Sequence, residues 1–133
     1  MSAWGVGNFD NDTALDWIYE LEETDDLSLV KNTIEKVLSE KYIDSDMGAE
    51  ALVAIEVLAR LKGNFGKEDP YSEDIDQWVK THAIEVDSKT IDKALQAIDL
   101  IVSKKSELYE LWEETDDFNV WKEEINNLKI RLR

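Results

Sequence analysis

Residues 47–63 read MGAEALVAIEVLARLKG, and this stretch decides the fold. Ala49, Ala51, Leu52, Val53, Ile55, Val57, Leu58, Ala59 and Leu61 surround a helix over Met47–Lys62 with apolar side chains on nearly every side. Gly63 supplies its stop. A helix without a broad polar face must be covered by other elements, so this one is expected at the centre of a bundle. It is no membrane span: its apolar run falls short of the roughly 20 residues a bilayer requires and is broken by Glu50, Glu56 and Arg60. A carboxylate inside such a helix needs a partner, and Arg60, four residues after Glu56, is the favoured one over a catalytic role for the acid.

Amphipathic segments extend outward from this centre in both directions. Asn11 or Asp12 caps a first helix to about Glu23, with Ala14, Trp17, Ile18 and Leu21 inward and Asp16, Glu20 and Glu22 in water. A second runs from about Leu27 to Lys41 on Leu27, Val30, Ile34, Val37 and Leu38. Beyond the central helix, Gly66 and the single proline, Pro70, mark a loop. Further helices are expected from Ser72 to Ile84, Asp87 or Ser88 to Lys104, Ser106 to Glu114 and Asp117 to Leu132. In the last, Phe118, Trp121, Ile125, Leu128 and Leu132 follow seam spacing, and a partner within the same domain is favoured because the seam is short. Gly5 and Gly7 keep residues 1–10 out of a helix, as an extended latch that tucks Trp4 and Phe9 into the bundle. The fold class is therefore all-α, one domain over 1–133, a bundle of six or seven helices with an extended N-terminal segment.

The 133 residues carry 31 acids against 15 Lys and Arg, a net charge of −16. Such a surface repels nucleic acid and anionic membranes, so neither is an expected partner. No cysteine is present, which excludes disulfides and thiolate chemistry and suits the cytoplasm; without a basic or apolar opening run, residues 1–17 are not expected to act as a secretory signal. The first cation is Lys31, and everything before it is acidic or neutral. Asp10, Asp12, Asp16, Glu20, Glu22 and Glu23 are the candidate binding face.

Glu22-Glu23-Thr24-Asp25-Asp26 recurs as Glu113-Glu114-Thr115-Asp116-Asp117, each time between two helices, which reads as acid caps used twice. Catalytic motifs are scarce. Asp10-Asn11-Asp12 opens like a calcium loop, but the later ligand positions fall on Ala14, Leu15 and Leu21. His82 is the only histidine, with Val79 where an iron-binding Glu-x-x-His pair needs glutamate. Glu20, Glu23, Glu50 and Glu56 could hold Mg²⁺ for hydrolysis of a small phosphorylated metabolite. At this acid content, about seven acid pairs at i,i+3 arise by chance, which weakens that alternative. The favoured reading is a non-enzymatic protein without cofactor that binds a basic protein.

Trp4-Gly5-Val6-Gly7-Asn8-Phe9-Asp10-Asn11-Asp12, with Ala14 and Asp16-Trp17, resembles the opening of a bacterial family, domain of unknown function 4259. Tyr42-Ile43-Asp44 before Glu50-Ala51-Leu52-Val53-Ala54-Ile55-Glu56-Val57 is similar to its middle block. Ser106-Glu107-Leu108-Tyr109-Glu110-Leu111-Trp112 before Trp121 is similar to its last. The resemblance implies a complete single-domain bacterial protein and carries no activity or site.

Overall fold

The computed structural model describes residues 5–66 and 70–133. Among them are seven helices: α1 (Asp12–Glu22), α2 (Ser28–Ser39), α3 (Ser45–Leu61), α4 (Glu73–Thr81), α5 (Ser88–Ile101), α6 (Glu107–Glu113) and α7 (Phe118–Leu132). The apolar stretch that forms α3 packs against each of the other six. Every residue from Ala51 to Arg60 is buried, as expected of a helix with no solvent face. The buried side chains join into one continuous core, and no helix among the described residues is long and apolar enough to cross a membrane.

Local chemistry sets the helix ends. Asn11, Asp44 and Asp87 each accept a hydrogen bond from the backbone N–H three residues on, opening α1, α3 and α5. At the end of α3, Gly63 takes φ +90°, with its N–H on the Arg60 carbonyl at 2.9 Å and the Asn64 N–H on the Ala59 carbonyl at 3.0 Å. That pairing satisfies two carbonyls the helix leaves open and requires the left-handed conformation glycine adopts without strain. Lys62 Nζ and Asn64 Nδ2 then donate to the carbonyls of Leu132 and Arg131, at 2.6 and 2.7 Å. The C-terminal ends of α3 and α7 are thereby tied together.

The seam on α7 closes inside the domain: Trp121, Ile125, Leu128 and Leu132 are buried, and α7 packs on α3, α5 and α6. Trp17, Trp78, Trp112 and Trp121 are core residues, and two of their indole N–H groups have partners, Trp17 on Thr33 Oγ1 at 3.0 Å and Trp78 on the Thr24 carbonyl at 3.1 Å. Sheet is absent among the described residues except for one isolated parallel bridge, Ile43 to Ser106, which pins the α2–α3 connection to the α5–α6 connection.

Four features depart from the sequence expectation; the first is that α5 ends at Ile101 rather than near Lys104, closed by the Val102 N–H on the Ile98 carbonyl at 3.1 Å. Helix α4 ends at Thr81 rather than Ile84, because His82 turns back to bond the Trp78 carbonyl at 2.8 Å through Nδ1. The described part of the N-terminal segment is a turn rather than an extended latch, closed by Asp10 N–H on the Gly7 carbonyl at 3.1 Å. Trp4 lies outside the described residues. The repeated Glu-Glu-Thr-Asp-Asp turns share a threonine device more than acid caps. Thr24 and Thr115 each donate a hydroxyl to the carbonyl three residues back, Leu21 at 2.7 Å and Trp112 at 2.8 Å. Asp26 accepts from the Ser28 N–H, but Asp117, at the start of α7, makes no side-chain cap bond.

Candidate functional site

The N-terminal turn exists to seat side chains on a buried ion cluster. Asp10 folds back so that Oδ2 accepts the Gly7 N–H at 3.0 Å. A Cβ on Gly7 would meet that oxygen at 2.8 Å, and one on Gly5 at 2.5 Å, so both glycines leave room for the carboxylate. The turn then delivers Asn8 and Phe9 inward. Asn8 Nδ2 donates to Glu56 Oε2 at 3.3 Å, and the Phe9 ring lies 5.1 Å from the Arg60 guanidinium carbon, within cation–π range.

Glu56 and Arg60 form the expected pair, Arg60 Nη1 donating to Glu56 Oε1 at 2.8 Å, with side chains 5% and 1% exposed. The sequence did not reveal two further members. Arg131, from the end of α7, reaches Glu56 Oε1 at 2.7 Å, and Asp76, on α4, accepts from Arg60 Nε at 2.6 Å. Two guanidiniums thus meet two carboxylates across three helices. Spacing within one helix predicts only the first contact, because Asp76 and Arg131 lie 16 and 71 positions from Arg60 and their approach depends on how α4 and α7 dock. Asn8 Oδ1 is buried without a hydrogen-bond partner, a cost on the order of 1–3 kcal/mol that the rest of the cluster offsets.

Outside this cluster opens a cleft of about 630 Å³. Arg60, Glu56 and Arg131 line its inner side together with Asn8, while Asp10, Glu124, Phe65 and Tyr71 contribute to its walls. Phe65 and Tyr71 are 43% and 42% exposed.

The acidic residues singled out from the sequence divide by environment. Asp12, Asp16, Glu20 and Glu23 are all exposed, and their spacing places them in one stripe of roughly 80° along α1. Tyr19 stands at the edge of that stripe, 63% exposed. Glu22 projects to one side, where burial and then the carboxylate of Asp74 on α4 push its pKa up. Asp10 is half-buried and committed to the turn. No α1 carboxylate takes part in an ion pair among the described residues. Helix α3 widens the stripe: Glu50 is half-buried, and its pKa is raised by burial first and then by Glu20, Asp46 and Asp44, opposed by Lys36. Asp46 is linked to α1 directly, accepting from Thr13 Oγ1 at 3.0 Å.

Glu20, Glu23, Glu50 and Glu56 do not converge. Glu20 and Glu50 are neighbours, but Glu56 is held by two guanidiniums, and among the described residues no three Asp, Glu or His side chains gather to hold a metal ion. His82 serves the fold at the other end of α1. Its ring stacks on Trp78 at 4.3 Å and its Nε2 lies 3.0 Å from Asp25 Oδ1, which fastens the α1–α2 turn to α4. The bond to Asp25, followed by that to Trp78, raises its pKa.

The chain belongs to the family described as domain of unknown function DUF4259, whose profile matches residues 2–124. No curated protein and no solved structure matches it.

Proposed function

We propose that this protein is a non-enzymatic interaction protein of bacterial origin whose α1 surface engages a basic protein partner, in the manner of immunity proteins or inhibitors of nucleic-acid enzymes. One observation carries the reading: Tyr19, 63% exposed and the most exposed large hydrophobic side chain among the described residues, stands beside Asp12, Asp16, Glu20 and Glu23, none of which has an ion-pair partner among those residues. Solubility accounts for the acids alone. Interfaces, by contrast, concentrate their energy in buried Tyr, Trp and Arg. Burying the ring against a partner supplies apolar area, and the carboxylates steer a cationic surface toward it and fix its orientation. The raised pKa of Glu50 supports the same reading, because mutual repulsion among Glu20, Asp44, Asp46 and Glu50 is relieved when a cation docks.

The test is affinity capture from lysate of the source cells with the full chain as bait, set against a variant carrying Asp16→Lys and Glu20→Lys and another carrying Tyr19→Ala. A basic protein retained at low salt, released by moderate salt and lost with both variants is the expected result. Equal retention by wild type and the charge-reversed variant would overturn the proposal.

A further inference from the structure

The cleft beside Glu56 has the composition of a receptor for one cationic side chain. We propose that it takes an arginine of the basic partner, an inference that rests on the partner reading above and gives that surface a deep contact next to the α1 stripe. Continuity is direct: Asp10 lines the cleft and Asp12 begins α1 two residues later. At about 630 Å³ the cleft lies within the range of small-ligand sites, roughly 300–1,000 Å³.

Charge selects the occupant. Inside the cluster, Arg60 and Arg131 are matched by Glu56 and Asp76, which leaves Asp10 and Glu124 in the cleft walls without a cation among the described residues. An anion entering here would face both carboxylates and a chain of net charge −16. The walls also carry Phe65, 43% exposed, whose ring already lies 6.0 Å from the Arg60 guanidinium carbon and whose exposed side can pack the stem and π face of a second guanidinium. Asn8 lines the same cleft, and its Oδ1 is buried behind that surface as an acceptor with no donor; a guanidinium N–H is a group that pairs it once the amide turns toward the cleft. Arginine fits better than lysine because its planar fork donates along several directions while stacking on an aromatic ring.

The experiment is an NMR titration of the ¹⁵N-labelled full chain with N-acetyl-arginine amide, in parallel with the lysine and citrulline equivalents. Saturable shifts at the Asn8 side-chain amide and at Phe65 and Glu124 are expected, with citrulline silent and lysine weaker. Glu124→Gln and Phe65→Ala, both at the surface and checked for unchanged melting, should each weaken binding roughly threefold to fivefold, while Glu20→Gln should not. Shifts confined to α1, equal binding of citrulline, or no saturable response would each overturn the cleft assignment. None of these results bears on capture of a basic partner through α1, which stands or falls by Asp16→Lys with Glu20→Lys.

Discussion

Replacing Glu56 by Gln tests whether the buried ion cluster holds the N-terminal turn and α7 onto the bundle. The carboxylate is 5% exposed and receives Arg60 at 2.8 Å, Arg131 at 2.7 Å and Asn8 at 3.3 Å. Glutamine keeps the shape but removes the charge, and its amide NH₂ must then point at one of these donors. Breaking a buried ion pair from one side costs about 3–5 kcal/mol, because the remaining charge stays desolvated. Here Asp76 still compensates Arg60 at 2.6 Å, so the expected loss is near the lower end, about 3 kcal/mol. In a chain of this size that corresponds to a fall in Tm of roughly 10–15 °C. Urea unfolding at neutral pH, followed by far-ultraviolet circular dichroism, should show a lower midpoint with an unchanged slope, and Glu20→Gln should stay within about 0.5 kcal/mol of wild type. A double-mutant cycle with Arg131→Met should return a coupling of at least about 1 kcal/mol. A loss under about 1 kcal/mol for Glu56→Gln, or no coupling, would refute the argument.

Three further outcomes can be measured on the same material. Gly63→Ala forces a residue with a Cβ into φ +90° and should cost about 1 kcal/mol in urea unfolding, whereas a neutral result would mean that the α3 terminus is not strained. Glu50→Gln should raise Tm at neutral pH. Since the folded pKa of Glu50 lies above its unfolded value, ionisation disfavours folding, and the gap between variant and wild type should close as pH falls through the folded pKa toward the unfolded one. A gap that widened on acidification would contradict the acidic neighbourhood of Glu20, Asp44 and Asp46. His82 should titrate above an ordinary histidine by NMR, and Asp25→Asn should bring it back down. Because the raised pKa belongs to the folded state, its stabilising effect is full below the unfolded pKa and disappears as pH rises through the folded one; a His82 signal that ignores Asp25→Asn would exclude this bond in solution.

Much of the architecture is legible in the sequence. Periodicity located all seven helices, because apolar positions at three- and four-residue spacing have only one way to share a face. The breadth of apolar cover on residues 49–61 identified the central helix, since a helix without a polar side must be surrounded. The Glu56–Arg60 pair followed from spacing alone, as neighbours at i,i+4 touch on any helix. Helix ends were less legible. His82 stops α4 by bonding Trp78 and Asp25, and the second of those bonds depends on a turn 57 positions away. The acid stripe of α1 could be read as a set of candidates, but Asp10 could not be separated from the others, because its inward turn depends on the space left by Gly5 and Gly7.

Sequence by itself determined what recurs locally: the helices, the side-chain caps that open α1, α3, α5 and α6, the central position of α3, and the confinement of the first 30 residues to acidic and neutral side chains. Tertiary structure decided what long-range approach creates. It brought Arg131 and Asp76 to the Glu56–Arg60 pair, seated Asn8 and Phe9 on that cluster, and set Asp44, Asp46 and Glu50 beside the α1 stripe. The physical reason is that helix formation reads neighbours three and four residues apart. The meeting of charges from α3, α4 and α7 is fixed by how apolar faces pack, and no local pattern in the chain encodes the resulting distances.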